Sequence, residues 1–373
     1  MKIGIFGGSF NPCHVEHEAM ARAMVSELAL DKLIIVPAGV APHKKNQQTI
    51  SAVDKLNILT LAFSGDEKIV VSDYELEKEG VSYTYQTILK FAEEYEGSEI
   101  FFLVGTDMLY DFTTWMKPET ILSYATLCVV AREGEDVSEA ERTYYSHFSK
   151  PIVRLKYCGS DVSSTAIRAS ACLSLPLDEY VDKAVGEYIE KHNLYKNQYS
   201  KFVTENLPIK RLTHTFGVMT LAVRYAKRLK INSDEAFVAA MLHDAAKYLD
   251  PKDYGCVIDD DVPAQVVHQF LGAFIAEKVL GVTNADILNA VRYHTTGRPE
   301  MSALEKVVFL ADLLEKGRAF DGVERLRNAV DEDFEKGFKT CLDELYKFLC
   351  FNGQPVYHLT KDAHEFYCGG NNR

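Results

Sequence analysis

The sequence predicts an α/β domain on a parallel sheet followed by an all-helical domain. Two observations carry that reading. Through about residue 195, short apolar runs alternate with helically spaced stretches, the rhythm of strand–helix–strand units. Beyond about residue 200 the strand signals stop, and apolar residues recur only at helical spacing.

The strands of the first domain are read from Ile3–Phe6, Leu33–Val36, Ile100–Val104 and Thr126–Val130. Continuous apolar runs of this kind suit strands buried on both faces. Helices are expected over 14–28, 52–63, 84–94 and 178–192. In the second domain they are expected over 208–229, 233–246, 262–279, 284–296, 301–315 and 323–350. The junction Lys196-Asn197-Gln198-Tyr199-Ser200-Lys201 is short and polar, with no Gly/Ser- or Pro-rich linker. The expected domains are therefore 1–196 and 201–350, with 351–373 as a C-terminal tail.

A length of 373 residues accommodates two or three such domains. The formal charge of −13 excludes a protein that coats nucleic acid, which needs a basic surface, but leaves small nucleotides open, since a few local cations bind them. The eight cysteines are scattered without a C-x-x-C pair and read as reduced thiols. No signal-peptide pattern and no membrane-length apolar run is seen. A cytoplasmic protein with small-molecule partners, no nucleic acid and no membrane is expected, with a homo-oligomer left open.

The segment GGSFNPCHVEH, Gly7 to His17, follows the first strand and opens the first helix. Gly7 and Gly8 let backbone N–H groups approach a ligand, Ser9 and Phe10 continue the loop, and a helix N-terminus suits an anion. His14 and His17 are three residues apart, on one helix face, and can donate hydrogen bonds to a phosphate that gains charge. The bland alternative is a tight turn with two surface histidines. A second segment, DVSSTAIR from Asp161 to Arg168, starts a helix with Ser163, Ser164 and Thr165 and puts Arg168 one turn on, a second anion cradle.

These motifs resemble the GGSFNPxHxGH and ISSTxIR signatures of bacterial nicotinate mononucleotide adenylyltransferases (NadD type). Pro42-His43-Lys44, Ser82-Tyr83-Thr84, Gly105-Thr106-Asp107, Trp115 and Arg132 add to the match. The resemblance implies a Rossmann-like nucleotidyltransferase fold and transfer of an adenylyl group from ATP, with Mg2+, to nicotinate mononucleotide. It implies that His14, His17 and Arg168 stabilise the ATP phosphates and that Ser163, Ser164 and Thr165 hold the triphosphate. It further implies that Asp107 contacts ribose, while Lys44, Thr84 and Trp115 serve the pyridine nucleotide. One position departs: the family's H-x-G-H glycine is Glu16, which adds bulk and negative charge near ATP.

The second half sets His214, His243-Asp244, His268, His294 and Asp312 on separate expected helices. Four histidines and two aspartates are costly to bury without partners, and a metal centre is an economical solution. The apolar stretch around His243-Asp244 is hard to explain as packing, and Asp244 can bridge two ions. Lys247 lies one turn on. The pattern H…HD…H…H…D resembles the HD superfamily, most closely symmetrical diadenosine tetraphosphate hydrolases (YqeK type). That resemblance implies two metal ions, iron or alternatively manganese, and cleavage to two ADP. It implies that His214, His243, Asp244 and Asp312 hold one ion and that Asp244, His268 and His294 hold the other. Lys247, Arg318 and Thr296 are candidates for gripping polyphosphate, and Glu315 for supporting a ligand. Two other readings stay open: an N-terminal domain that senses nucleotides without turning them over, and an HD domain acting on a different nucleotide.

Overall fold

A computed structural model describes residues 1–39, 50–78, 80–160, 162–353 and 356–369. Contacts divide the chain into one unit of residues 1–168 and 176–195 and another of 169–175 and 196–373.

The first unit is a six-stranded sheet with strands β1 (Lys2–Gly8), β2 (Lys32–Pro37), β3 (Ile69–Val71), β4 (Glu99–Gly105), β5 (Ala125–Arg132) and β6 (Val153–Gly159). Their order is β3-β2-β1-β4-β5-β6 and every pairing is parallel. Helices α1 (Val15–Glu27), α2 (Ala52–Ala62), α3 (Tyr74–Glu77), α4 (Thr84–Glu94), α5 (Thr106–Asp111), α6 (Pro118–Tyr124), α7 (Ser138–Tyr145), α8 (Ser164–Cys172, of which the part from Ala169 is counted with the second unit) and α9 (Lys183–Lys191) connect or follow the strands. On one face Ile3, Ile5, Phe102, Val104, Leu127 and Val129 pack with Ile88, Phe112 and Tyr144.

The four expected strands are present, and β3 and β6 are additional. β3 has three residues, and β6 alternates exposed and buried positions because it is an edge strand covered on one face. Polar caps start α2 and α9: Ser51 accepts from Asp54 N–H and Asp182 from Ala184 N–H.

The second unit is helical, with α10 (Gln198–Asn206), α11 (Ile209–Arg228), α12 (Ser233–Leu242), α13 (Val267–Lys278), α14 (Ala285–Tyr293), α15 (Ala303–Leu314), α16 (Val323–Glu332), α17 (Phe334–Phe351) and α18 (His358–Cys368). The polar junction begins a helix, because Asn197 and Ser200 form a reciprocal capping box. Helix α11 packs against α12 and α15, α13 against α14, and α14 against α15. The stretch expected as one helix over 323–350 breaks at Asp333, which ends α16 and caps α17 through Lys336 N–H. The tail carries α18, packed on α17. Among the described residues, no helix is long and apolar enough to cross a membrane, and all eight cysteines are free.

Candidate functional site

The carboxyl ends of β1, β4 and β5 set Gly7, Gly8, Gly105 and Arg132 along one edge of the sheet. Strand order reverses between β1 and β4, where open parallel sheets leave a ligand crevice. The loop from β1 into α1 turns tightly. A Cβ on Gly8 would lie 3.0 Å from the Phe10 ring, and Phe10 is fully buried with its ring edge on His17 at 4.9 Å. Ser9 is half-buried in the same loop.

His14 is the N-cap of α1 and its side chain makes no cap hydrogen bond; Val15 N–H donates to Tyr180 O at 3.0 Å, and the rest of the first turn is not closed by a cap side chain. The His14 and His17 rings stack at 3.7 Å. Both Nδ1 atoms are buried without a hydrogen-bond partner among the described residues. Burial pushes His14 down to about 4, with the nearby Arg132 guanidinium adding to the effect against an opposing pull from Glu16. Burial also takes His17 well below the usual imidazole range. Both rings are therefore neutral at pH 7, and each can offer one N–H and no fixed charge.

The second segment closes on the first. Ser164 Oγ donates to Pro12 O at 3.2 Å, and Arg168 donates to Asn11 O at 2.9 Å and to Thr165 Oγ1 at 3.3 Å. Ser163 Oγ accepts from Ala166 N–H. Glu16 accepts from Tyr157 OH at 2.9 Å, Ser160 N–H at 2.9 Å and Ser160 Oγ at 2.7 Å. Burial works to raise the Glu16 carboxyl, but these donors bring it below its usual range, so it stays charged.

Thr84 is the first residue of α4, and Asp107 lies in the first turn of α5, its Oδ1 accepting from Met108 N–H at 2.9 Å. Trp115 packs on Phe112 at 5.3 Å and Phe102 at 6.2 Å. Lys44, with Pro42 and His43, lies outside the described residues.

In the second unit, His214 comes from α11, His243 and Asp244 from the end of α12, His268 from α13, His294 from the end of α14, and Asp312 from α15. Their ligand atoms form two groups, His214–His243–Asp312 and Asp244–His268–His294, each within 4.8 Å. Asp244 lies between them. Its Oδ1 is 3.2 Å from His268 Nε2 and 3.7 Å from His294 Nε2, and its Oδ2 is 3.6 Å from His243 Nε2 and 3.9 Å from His214 Nε2. Burial alone would raise the Asp244 carboxyl, and protonation of the imidazoles around it lowers it. Burial drives His243 down to about 3. Burial opposes charge on His214 too, yet Asp312 and Glu315 raise it.

The tautomers are fixed by backbone. His243 Nδ1 faces Ala240 O at 2.7 Å and His294 Nδ1 faces Val291 O at 2.8 Å. A carbonyl only accepts, so both Nδ1 atoms carry the proton and both Nε2 lone pairs point inward. His243 Nε2 is then 3.4 Å from His214 Nε2, and His268 Nε2 is 3.2 Å from His294 Nε2. Ring nitrogens that close repel unless a proton or a cation lies between them.

The structure corrects one expected contact. Thr296 is 1% exposed, with its hydroxyl donating to Gly297 O at 2.9 Å and accepting from Gln269 Nε2 at 3.0 Å. It faces the core. Thr295 instead brings its hydroxyl 3.3 Å from His268 Nε2, because the turn after α14 reverses which neighbour faces the cluster. Arg318 is engaged with Asp312 Oδ1 at 2.5 Å and Asp312 O at 2.8 Å. Lys247 Nζ sits at the cluster, 3.1 Å from His268 Nε2 and 3.5 Å from Asp244 Oδ1. Two supports escaped the sequence reading. Arg211 donates to Asp244 Oδ2 at 2.8 Å, and the buried Gln269 accepts from Thr295 N–H at 3.1 Å. Arg211 had a signal, standing three residues before His214 on one helix face; Gln269 had none.

A cytidylyltransferase-like family model matches residues 5–170 and an HD domain model matches residues 211–317. A "Probable nicotinate-nucleotide adenylyltransferase/Ap4A hydrolase" of Mycoplasma genitalium is 28% identical over 365 residues, spanning 96% of this chain and 96% of its own. A "Probable nicotinate-nucleotide adenylyltransferase" of Neisseria meningitidis serogroup C is 32% identical over 200 residues, spanning 52% of this chain and 98% of its own. The chain belongs to the nicotinate-nucleotide adenylyltransferase family, with an HD domain following. A solved "predicted HD superfamily hydrolase involved in NAD metabolism" from Clostridium acetobutylicum is 35% identical, with a TM-score of 0.44, covering 46% of this chain and 96% of its own.

Within the adenylyltransferase part, the departure from the family motif is accommodated, since both Glu16 carboxylate oxygens are taken up by Tyr157 and Ser160. In the HD domain the His/Asp cluster implies a bound divalent metal, and its donors fit one: inward imidazole lone pairs plus two carboxylates, backed by Glu315 on His214 Nδ1 at 3.1 Å.

Proposed function

We propose that this is a bifunctional enzyme. The N-terminal unit transfers the adenylyl group of ATP to nicotinate mononucleotide, giving deamido-NAD and pyrophosphate. The HD domain hydrolyses diadenosine tetraphosphate symmetrically to two ADP.

In the first reaction a phosphate oxygen of nicotinate mononucleotide attacks the α-phosphorus of ATP, and the bond to pyrophosphate breaks. No side chain acts as nucleophile, so the site works by positioning and charge stabilisation. Neutral His14 and His17 donate to the phosphate oxygens that gain charge. Gly7, Gly8, Ser9 and Phe10 shape the loop, and Ser163, Ser164, Thr165 and Arg168 hold the triphosphate with Mg2+. Gly105, Asp107 and Arg132 line the nucleotide side, and Lys44, Thr84 and Trp115 serve the pyridine nucleotide.

In the second reaction the observation that carries the reading is Asp244, with one oxygen toward each histidine group. His214, His243, Asp244 and Asp312 would hold one ion, and Asp244, His268 and His294 would hold the other. When bound, the two ions, iron or alternatively manganese, would supply Lewis acidity and lower the pKa of water. Lys247 and Arg318 provide cations for the polyphosphate, and Thr295 provides the hydroxyl at the cluster.

The test is a pair of separable knockouts on the full chain. His14→Ala is expected to remove deamido-NAD formation and keep diadenosine tetraphosphate cleavage, and Asp244→Ala the reverse. Cleavage that persists undiminished in Asp244→Ala would refute the HD assignment.

A further inference from the structure

Helix α1 is fastened to the edge strand β6 at both ends by carboxylates. Near its C-terminus Glu27 accepts from Lys156 N–H at 2.7 Å and Tyr157 N–H at 3.0 Å. In its first turn Glu16 takes Tyr157 OH and both donors of Ser160. Glu27 covers backbone donors that an edge strand leaves unpaired. Glu16 does something different. It stands between His14 and His17 in sequence, and its partner Ser160 immediately precedes the segment that carries Ser163, Ser164 and Thr165. That segment returns to the first loop through Ser164 on Pro12 O and Arg168 on Asn11 O. Glu16 thus holds Ser160 on one side of that segment in sequence, and Ser164 and Arg168 tie the segment to Pro12 and Asn11 on the other.

We propose that Glu16 is a positioning residue for the nucleotide site, the clasp that holds the serine–threonine cradle in register with His14 and His17. The inference rests on the adenylyltransferase reading for its ligand, ATP. In this chain the glutamate that replaces the motif glycine is therefore part of the working site and not a defect in it. The carboxylate spends its charge on three donors, which lessens its repulsion of a triphosphate. Removing it frees Ser160 and loosens the segment that follows. A site misplaced by a fraction of an ångström loses binding and rate even where no ligand contact is deleted.

The experiment compares Glu16→Gly, Glu16→Ala, Tyr157→Phe and Glu27→Ala in the full chain. ATP affinity is read by calorimetry, and KM and kcat for deamido-NAD formation are measured alongside. The expected result is that Glu16→Gly and Glu16→Ala weaken ATP about tenfold, Tyr157→Phe weakens it less, and Glu27→Ala lowers thermal stability with ATP affinity unchanged. An unchanged or tighter ATP affinity in Glu16→Gly overturns the proposal, as does an equal loss in Glu27→Ala, which would mark the fastening as purely structural. Hydrogen exchange in the nucleotide-free protein supplies a readout that does not depend on the reaction. Faster exchange at Ser160 and at 163–167 in Glu16→Ala, absent in Glu27→Ala, supports the clasp; no change there overturns it. Wild-type protein that binds ATP without making product would count against the transferase reading alone.

Discussion

Replacing Asp244 by asparagine is the sharpest test of the HD centre, because it changes charge and leaves shape alone. Asp244 has a side-chain exposure of 3% and offers one oxygen to each histidine group. An asparagine has one oxygen and one NH2. Whichever way the amide turns, one group then faces two N–H donors that cannot ligate a cation. Loss of an outer-shell support costs about 10–100-fold in metal affinity, so loss of a shared direct ligand is expected at the upper end or beyond, about 2.7 kcal/mol or more. The metal-free protein should suffer less, about 1–3 kcal/mol, since the remaining amide oxygen can still accept from Arg211. The assay is elemental analysis of wild-type and Asp244→Asn protein after identical dialysis, with thermal unfolding in chelator as the control for folding. Metal content is expected to fall by at least half while the chelated proteins unfold within a few degrees of each other. Wild-type metal content in the variant would refute the assignment of Asp244 as the shared ligand.

Three further outcomes are expected. Glu315→Gln removes the carboxylate that takes the proton of His214 Nδ1, so chelator competition should show metal held about 10–100-fold more weakly; unchanged competition would show that Glu315 does not support His214. Thr296→Val should destabilise by about 1–3 kcal/mol with hydrolysis kcat/KM unchanged, because it strips a buried hydroxyl from Gln269 and Gly297. Thr295→Val should do the opposite, and a reversal of the two would undo the assignment of which threonine faces the cluster. Acid should weaken the N-terminal unit through His14. Its pKa is pushed down to about 4 from an ordinary 6.5, so between those values the unfolded chain binds a proton that the folded one does not. Stability is full above 6.5 and is lost as pH falls toward 4, by about 3 kcal/mol, with His17 acting in the same direction. Trp115, the single tryptophan, reports urea unfolding of that unit alone, and a His14→Gln variant with an undiminished pH slope would contradict the argument.

What was legible in the sequence follows from which physical signals are local. The central strands β1, β2, β4 and β5 are buried on both faces and so read as unbroken apolar runs. β6 escaped because only alternate residues are covered, and its Lys156 and Tyr157 look like loop residues until Glu27 is seen on their N–H groups. In the HD domain the six candidate ligands stood out by chemical type, since polar groups among apolar residues need a reason. Of their supports, Glu315 is named from the sequence, while Arg211 and Gln269 are not. Arg211 and Gln269 act through distance in space, and the choice between Thr295 and Thr296 depends on a turn closed by Gly297 in the left-handed region, at φ 65°, which residue spacing does not encode. The expected helices over 233–246 and 284–296 also ran past their true ends, at Leu242 and Tyr293.

Those early helix ends matter to the chemistry. His243 and His294 each occupy the position just beyond a helix C-terminus, and each turns Nδ1 back to the carbonyl three residues before it, Ala240 O and Val291 O. The last carbonyls of a helix lack intrahelical partners and carry the negative end of its dipole. One geometry thus does two things: it fixes the tautomer that leaves Nε2 free, and it brings two negative helix ends toward a cluster that favours cations. The N-terminal unit uses the opposite pole. Helices α1 and α8 begin at Val15 and Ser164, next to His14 and in the Ser163–Thr165 segment, so positive helix ends lie where the proposed function puts the ATP phosphates. Two sites for phosphorus chemistry in one chain are therefore built from opposite ends of the same element. On the proposed function the charge each must handle matches the end used: a polyphosphate anion in the first unit, and cations that would receive one in the second.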